Sequence, residues 1–242
     1  MNAIEIKNLT KCYRDVTAVD GLSLSIGEGE LFSLLGVNGA GKTTTIKMLS
    51  CLTEPTGGDA YLLGKSIRRE AGEVKSLIAV SPQETAVAPG LSVRENLELI
   101  CGVHGFSREK RNEKIEELSK LLGLREVIGK RAGKLSGGYA RRLSIAMALI
   151  SNPKILFLDE PTLGLDVIAR SELWDMIRSL KGRITVILTT HYMEEAEALS
   201  DRIAIMRDGK LLICDTAEGI KETAGTESFE EAFVRIVKGV AK

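Results

Sequence analysis

Gly36-Val37-Asn38-Gly39-Ala40-Gly41-Lys42-Thr43 fits the spacing G-x-x-x-x-G-K-[ST], and the apolar run Leu31-Phe32-Ser33-Leu34-Leu35 leads straight into it. In this pattern consecutive backbone N–H groups wrap phosphates, the lysine reaches the outer ones, and the hydroxyl ligates Mg²⁺. The run before it reads as a buried strand, and Thr43-Thr44-Thr45-Ile46-Lys47-Met48-Leu49 after it reads as a helix. The glycines therefore fall where a strand turns into a helix N-terminus, with its unpaired amides and positive dipole end facing an anion. The competing reading is a glycine-rich turn with an ordinary surface lysine, and the flanking strand and helix weigh against it.

Outward from this loop, Lys154-Ile155-Leu156-Phe157-Leu158-Asp159-Glu160 is an apolar run that ends in two carboxylates. Such a run reads as a central parallel strand, and ligands of these sheets bind at strand C-terminal ends. Asp159 is placed to hold Mg²⁺ opposite the Thr43 hydroxyl, and Glu160, one residue on, to orient the water that attacks a γ-phosphate. A second anion signal, Leu135-Ser136-Gly137-Gly138-Tyr139, carries no lysine. Ser136 can cap the helix bearing Tyr139, Leu143, Met147 and Ile150, leaving the amides of Gly137 and Gly138 open to a phosphate.

With these residues in place the chain resembles the ATP-binding cassette of ABC transporters, from Met1 to about Asp215. The family's markers occur in order: Tyr13, the loop from Gly36 to Thr43, Gln83 in Val80-Ser81-Pro82-Gln83, the signature from Leu135 to Tyr139, Asp159 with Glu160, the turn Gly164-Leu165-Asp166, and His191 in Thr189-Thr190-His191. The resemblance implies an α/β fold: a P-loop NTPase (RecA-like), mainly parallel sheet core with an N-terminal antiparallel β layer and an inserted helical lobe. It implies ATP as substrate with Mg²⁺, bound by Tyr13, stacked on adenine, and by Gly36, Val37, Asn38, Gly39, Ala40, Gly41, Lys42, Thr43 and Thr44. Thr43, Gln83 and Asp159 are the implied metal ligands, and Glu160, His191, Gln83 and Lys42 the implied catalytic group.

The same resemblance implies a second cassette as partner, because Ser136, Gly137 and Gly138 would bind the γ-phosphate held on the opposite subunit and Asp166 would meet it across the dimer. A transmembrane permease subunit is the other implied partner, with the chain peripheral on the cytoplasmic face of the cell membrane. Two positions depart from the family pattern: Tyr139 stands where glutamine is usual, and Leu163 where serine is common. The segment Met193-Glu194-Glu195-Ala196-Glu197, the short end after Asp215 and the phenylalanine-containing tail are similar to cassettes of the ABC-2 type, associated with export. A soluble ABC ATPase of a non-transport assembly or repair system is the alternative that shares every motif.

Individual markers have plainer competitors. Tyr13 is either a stacking platform or an exposed edge tyrosine. His191, ending the run Ile184-Thr185-Val186-Ile187-Leu188, either donates to phosphate or is structural. His104 lies outside every marker, on the apolar side of a helix with Val93, Leu97, Ile100 and Cys101, and is expected to be structural.

The 242 residues carry 33 Lys and Arg against 33 Asp and Glu, and neither a basic stripe nor a polybasic tail marks nucleic acid as a partner. The longest apolar runs fall far short of the roughly 20 residues that a membrane span takes. Met1-Asn2-Ala3-Ile4-Glu5 does not read as a signal peptide. Cys12, Cys51, Cys101 and Cys214 are scattered without C-x-x-C spacing and read as reduced thiols.

The expected organisation is a single ABC ATPase domain over 1–242. Residues 1–87 and 151–215 form the ATPase core with its antiparallel layer, 88–150 the helical lobe, and 216–242 a short C-terminal tail. In the lobe, Ser92-Val93-Arg94-Glu95 is a capping box, and Ile115, Leu118, Leu121 and Leu122 make an apolar face ended by Gly123. The lobe is expected to rotate on the core with the Gln83 loop as hinge. Downstream, Leu173, Trp174, Ile177 and Leu180 share a helix face, and a hairpin turns at Asp208-Gly209. Phe229, Phe233, Ile236 and Val237 mark a short amphipathic helix expected to dock on its own domain rather than on a membrane.

Overall fold

The computed structural model describes residues 1–239; residues 240–242, the last of the expected tail, lie outside the described residues. The chain opens with β1 (Asn2–Tyr13), β2 (Val16–Gly27), β3 (Leu31–Leu35), α1 (Lys42–Leu49), β4 (Gly57–Leu62), β5 (Lys65–Ser66), α2 (Ala71–Leu77) and β6 (Ile78–Ser81). Helices α3 (Val93–Val103), α4 (Arg108–Leu121) and α5 (Gly137–Leu149) follow. Then come β7 (Ile155–Asp159), α6 (Val167–Leu180), β8 (Thr185–Thr190), α7 (Met193–Leu199), β9 (Arg202–Arg207), β10 (Lys210–Asp215), α8 (Ala217–Ala224) and α9 (Phe229–Lys238).

Six strands form one sheet in the order β10-β9-β3-β8-β7-β6, parallel throughout except for β10 against β9. Every residue of β3, β7 and β8 is buried. Strands covered on both faces need no polar alternation, which is why they read as unbroken apolar runs. The register sets the site: Leu35 pairs with Thr190, and Asp159 with Thr189. The residues that leave β3, β7 and β8, namely Gly36, Glu160 and His191, therefore emerge side by side at one sheet edge.

A second, antiparallel sheet, β2-β1-β4-β5, lays Ile4, Leu22, Ile26, Ala60 and Leu62 over Ile46 and Met48 of α1 and over Phe32 and Phe157 of the central sheet. On the opposite face, Leu97 of α3, Leu118 of α4 and Leu143 of α5 share one apolar cluster with Leu156, Leu158, Val186 and Leu188. The helical lobe thus has no core of its own, and α5 is the element through which its packing becomes continuous with the sheet.

Local signals act as expected at several boundaries. Ser92 and Glu95 form a reciprocal capping box at α3, and Gly123, at φ +61°, ends α4. Asp208 and Gly209 both take positive φ in the hairpin between β9 and β10, the backbone a tight two-residue turn requires. Asp166, Thr216 and Ser228 cap α6, α8 and α9.

The structure also departs from expectation. β8 runs on through Thr189 and Thr190, so His191 directly follows the strand. His104 is not on the buried side of α3; it is exposed at that helix's C-cap, its ring 6.2 Å from that of Phe106. Trp174 is half-buried, because its indole N–H must reach the Glu195 carboxyl, 3.1 Å away. The tail is two helices: α8 was hidden by Gly219 and two threonines in or beside a short segment, weak helix formers that the Thr216 cap offsets. α9 packs Phe229 and Ala232 onto Ile203, Ile205 and Ile220, with Phe233, Ile236 and Val237 beside them, so the tail docks on its own chain. Among the described residues no helix is long and apolar enough to cross a membrane.

Candidate functional site

The glycine loop is shaped by what stands around it. A Cβ at Gly36 would lie 2.4 Å from the Met206 carbonyl, and one at Gly41, already at φ +100°, 2.5 Å from that of Ala18. Gly41 is the N-cap of α1, so the loop turns sharply into the helix and the first amides of α1 point into the space above it. That space is a cavity of about 770 Å³, walled by Asn38 to Thr44, by Val16 to Ala18 at the start of β2, and by Gln83, Glu160, Leu163, His191 and Asp208.

Four strand ends supply its chemistry. Lys42, 5% exposed, donates from Nζ to the Gly36 carbonyl at 2.7 Å and to that of Val37 at 3.2 Å, and lies 3.8 Å from Glu160 Oε1. Burial lowers its pKa, and the Glu160 and Asp159 carboxylates oppose that shift. Asp159, 6% exposed, accepts on Oδ1 from Thr43 Oγ1 at 3.1 Å and from Thr189 Oγ1 at 2.5 Å. Glu160 sits at φ +46°, a left-handed conformation costing of order 1 kcal/mol or more for a residue with a side chain. Its N–H donates to the Thr189 hydroxyl at 3.0 Å and carbonyl at 3.2 Å, which holds it there. That turn swings the carboxylate over the cavity, where Oε2 lies 3.3 Å from Nδ1 of His191. The two atoms are misaligned for a hydrogen bond, and Nδ1 has no hydrogen-bond partner among the described residues.

A divalent cation fits this donor set. Thr43 Oγ1, Asp159 and the Gln83 side chain are oxygen donors, the class that hard cations take, and two of them already lie within hydrogen-bond distance of each other.

Not every expected residue meets the others. Gly36 and Val37 contribute carbonyls to Lys42 and do not line the cavity. Tyr13 stands at the end of β1, paired with Val16; it is 45% exposed, with Lys11 Nζ 4.9 Å from its ring, and only its neighbours Val16 to Ala18 reach the cavity wall. The signature lies elsewhere. Ser136 caps α5 as expected, accepting from the Tyr139 N–H at 3.5 Å, but Gly138 is buried against α6, where its Cβ would stand 3.1 Å from that of Ala169. Gly138 is therefore a close-packing glycine on its Cα side. Gly137 faces Leu165 of the Gly-Leu-Asp turn, and Asp166 caps α6 through the Ile168 and Ala169 amides. The side chain of Tyr139 donates to Glu126 and lies under the Arg142 guanidinium, 5.1 Å away.

The glycine loop with its lysine leaves β3, His191 follows the neighbouring strand β8, and Asp159 and Glu160 end β7 on the far side of β8. A family model described as ABC transporter matches residues 19–163, more than half of the chain. The chain belongs to that family. It is 40% identical over 225 residues to the daunorubicin/doxorubicin resistance ATP-binding protein DrrA of Streptomyces peucetius, covering 93% of this chain and 68% of that protein. It is 41% identical over 226 residues to the human phospholipid-transporting ATPase ABCA3, covering 92% of this chain. The chain spans only 13% of the length of that protein and less than half of several other curated relatives. Among solved structures it superposes, at a TM-score of 0.79 and 28% identity, on a dimeric post-hydrolysis state of the ATP-binding cassette MJ0796 bound to ADP and Pi, covering 88% of this chain and 98% of that one.

Sequence reading passed over Thr189, which anchors both Asp159 and the Glu160 turn, and Arg141 and Glu195, buried charges behind the cavity. Thr189 carried no distinguishing signal: threonine is a common strand residue, and β8 holds two others, Thr185 and Thr190. The other two carry no local signal, since their partners lie far away in sequence.

Proposed function

We propose that the chain binds ATP with Mg²⁺ and hydrolyses it as the motor subunit of a membrane exporter, peripheral on the cytoplasmic face and paired with a second cassette and a transmembrane permease. The observation that carries the reading is the convergence of Lys42, Thr43, Asp159, Glu160 and His191 on one phosphate-sized cavity. Lys42 exchanges its two loop carbonyls for the outer phosphates, while the α1 amides hold the inner ones. Thr43, Asp159 and Gln83 would hold the cation, which would supply charge neutralisation at the phosphates. Glu160, fixed from behind by Thr189, orients the attacking water, and His191 donates toward the γ-phosphate. Tyr13 lies beside the base and stacks on it after a small shift of the β1–β2 turn.

Ser136 and Gly137 are exposed on the chain's own surface, away from the cavity, and complete the site of a second copy, while the Asp166 turn packed against Gly137 travels with them. The export assignment rests on the drug-resistance relative. Affinity isolation of the tagged chain from detergent-solubilised membranes, with ATPase assayed before and after Glu160→Gln, tests the whole reading. A stoichiometric polytopic partner and Glu160-dependent turnover are expected. Recovery only with soluble partners would replace transport by a soluble assembly or repair role.

A further inference from the structure

Arg141 lies one turn into α5, past the signature, and is 5% exposed. A guanidinium at that depth is tolerated only if its donors are used and its charge is answered. Both conditions hold. Nη1 donates to the Pro82 carbonyl at 2.6 Å and Nη2 to the Gln83 carbonyl at 2.5 Å. Asp159 at the end of β7 supplies opposing charge that partly offsets the burial, which lowers its pKa.

The two carbonyls are consecutive, which suits the planar fork of arginine and not the single ammonium of lysine. One turn further along α5, Ser144 meets Ser81 hydroxyl to hydroxyl at 3.0 Å. The signature helix is thus tied at two successive turns to the segment Ser81–Gln83, and Gln83 is the member of that segment that lines the phosphate cavity. Pro82 has no N–H, so the loop has fewer backbone donors of its own and relies on a donor from outside.

We propose that Arg141 is a positioning residue for hydrolysis: its guanidinium fixes the Gln83 backbone to the signature helix, so that a shift of α5 carries Gln83 into or out of the phosphate cavity. This rests on the ATPase reading above and adds a residue to it. Displacement of α5 by a second copy would then reach the attacking water through a two-bond clamp, without passing through Lys42 or Glu160. Arg142, the next residue, points the other way, to Glu172 on α6, and serves the packing of α5 against α6.

The test uses the full chain carrying Arg141→Met and Gln83→Ala, singly and together. Arg141→Met is expected to lower kcat by about tenfold or more while the KM for ATP stays within about twofold, because charge-assisted hydrogen bonds are lost and the nucleotide contacts remain. The double variant should be no slower than Gln83→Ala alone; losses that multiply, or an unchanged kcat, would overturn the proposal. Amide hydrogen exchange reads the clamp without any turnover. The amides of residues 83–87 should exchange about tenfold faster in Arg141→Met than in the parent, with those of α1 unchanged, and equal rates in the loop would also overturn it. Turnover that survives Glu160→Gln would break the ATPase reading and leave the exchange comparison to decide the clamp. If Arg141→Met does not fold, Arg141→Lys takes its place, keeping the charge but not the fork, and the same loop should again exchange faster.

Discussion

The N-terminus of α1 and the N-terminus of α5 are both opened by glycines, yet they are built for different tasks. At α1 the amides are surrounded: a lysine turned back on its own loop, a carboxylate held by two threonines, and a glutamate forced into a left-handed turn all lie beneath one cavity. At α5 Ser136 and Gly137 are exposed, and what lies against Gly137 and Gly138 is apolar, Leu165 and Ala169. The first end can do chemistry with a phosphate that it holds. On the proposed function the second adds hydrogen bonds to a phosphate brought to it, and α5 is tied to the first site through the Gln83 carbonyl.

The strongest way to break this contrast is at Glu160. Glu160→Gln is expected to cut turnover by about 10²–10⁴-fold while leaving ATP affinity unchanged, measured by phosphate release and by nucleotide titration. Wild-type turnover in the variant would mean that the α1 end is not the chemical half.

Lys42→Ala should instead weaken ATP binding itself, by about 10- to 100-fold, since a charge-assisted contact is lost from the cavity. Ser136→Ala provides the other side of the comparison: the isolated chain should bind ATP with unaltered affinity and turn over more slowly only where two chains meet. Equal effects of the two variants on monomer affinity would merge the two ends into one site.

A smaller effect separates packing from phosphate binding within the signature. Gly138→Val should destabilise the fold by about 1–3 kcal/mol in urea denaturation, because the added methyls must enter the space against Ala169. Gly137, which meets only the tip of Leu165, should tolerate alanine better, and equal costs would contradict the different roles assigned to the two glycines.

The smallest expected effect lies behind His191. Glu195 is fully buried, and burial raises its pKa; the Trp174 N–H, which donates to Oε1, and the charge of Arg170 only partly offset that desolvation. The folded chain therefore keeps the Glu195 proton to higher pH than the unfolded chain does. This group's contribution is complete below its ordinary value of 4.5 and is lost as pH rises toward the raised value. Glu195→Gln keeps an acceptor for the Trp174 N–H and cannot ionise, so thermal unfolding across that range should lose this part of its pH dependence; an unaltered profile would show that Glu195 carries its charge in the fold.

Much of the α1 end was legible in the sequence because its parts are local: the glycine spacing, the apolar strands and the carboxylates ending Phe157-Leu158 each announce themselves within a few residues. The mainly parallel core with its antiparallel layer and helical lobe followed from one family resemblance, and the register of β3, β7 and β8 in the structure explains why those separate signals converge. The α5 end was legible only as a motif. That Gly138 is filled from behind by Ala169, that Asp166 caps its own helix, and that Arg141 reaches back 58 residues to Gln83 are facts of tertiary packing with no periodicity to reveal them. Helix α8 and the exposed His104 were misread for the opposite reason, a local pattern that the flanking cap or helix end overrode.

The central claim is that the two glycine-opened ends belong to one site only when two chains meet across ATP. Light scattering of purified Glu160→Gln, with and without MgATP, measures this directly. The account predicts a mass of one chain without nucleotide and of two chains with it, and no doubling when Ser136→Ala is added. A Glu160→Gln chain that binds MgATP and keeps the mass of a single chain would contradict it.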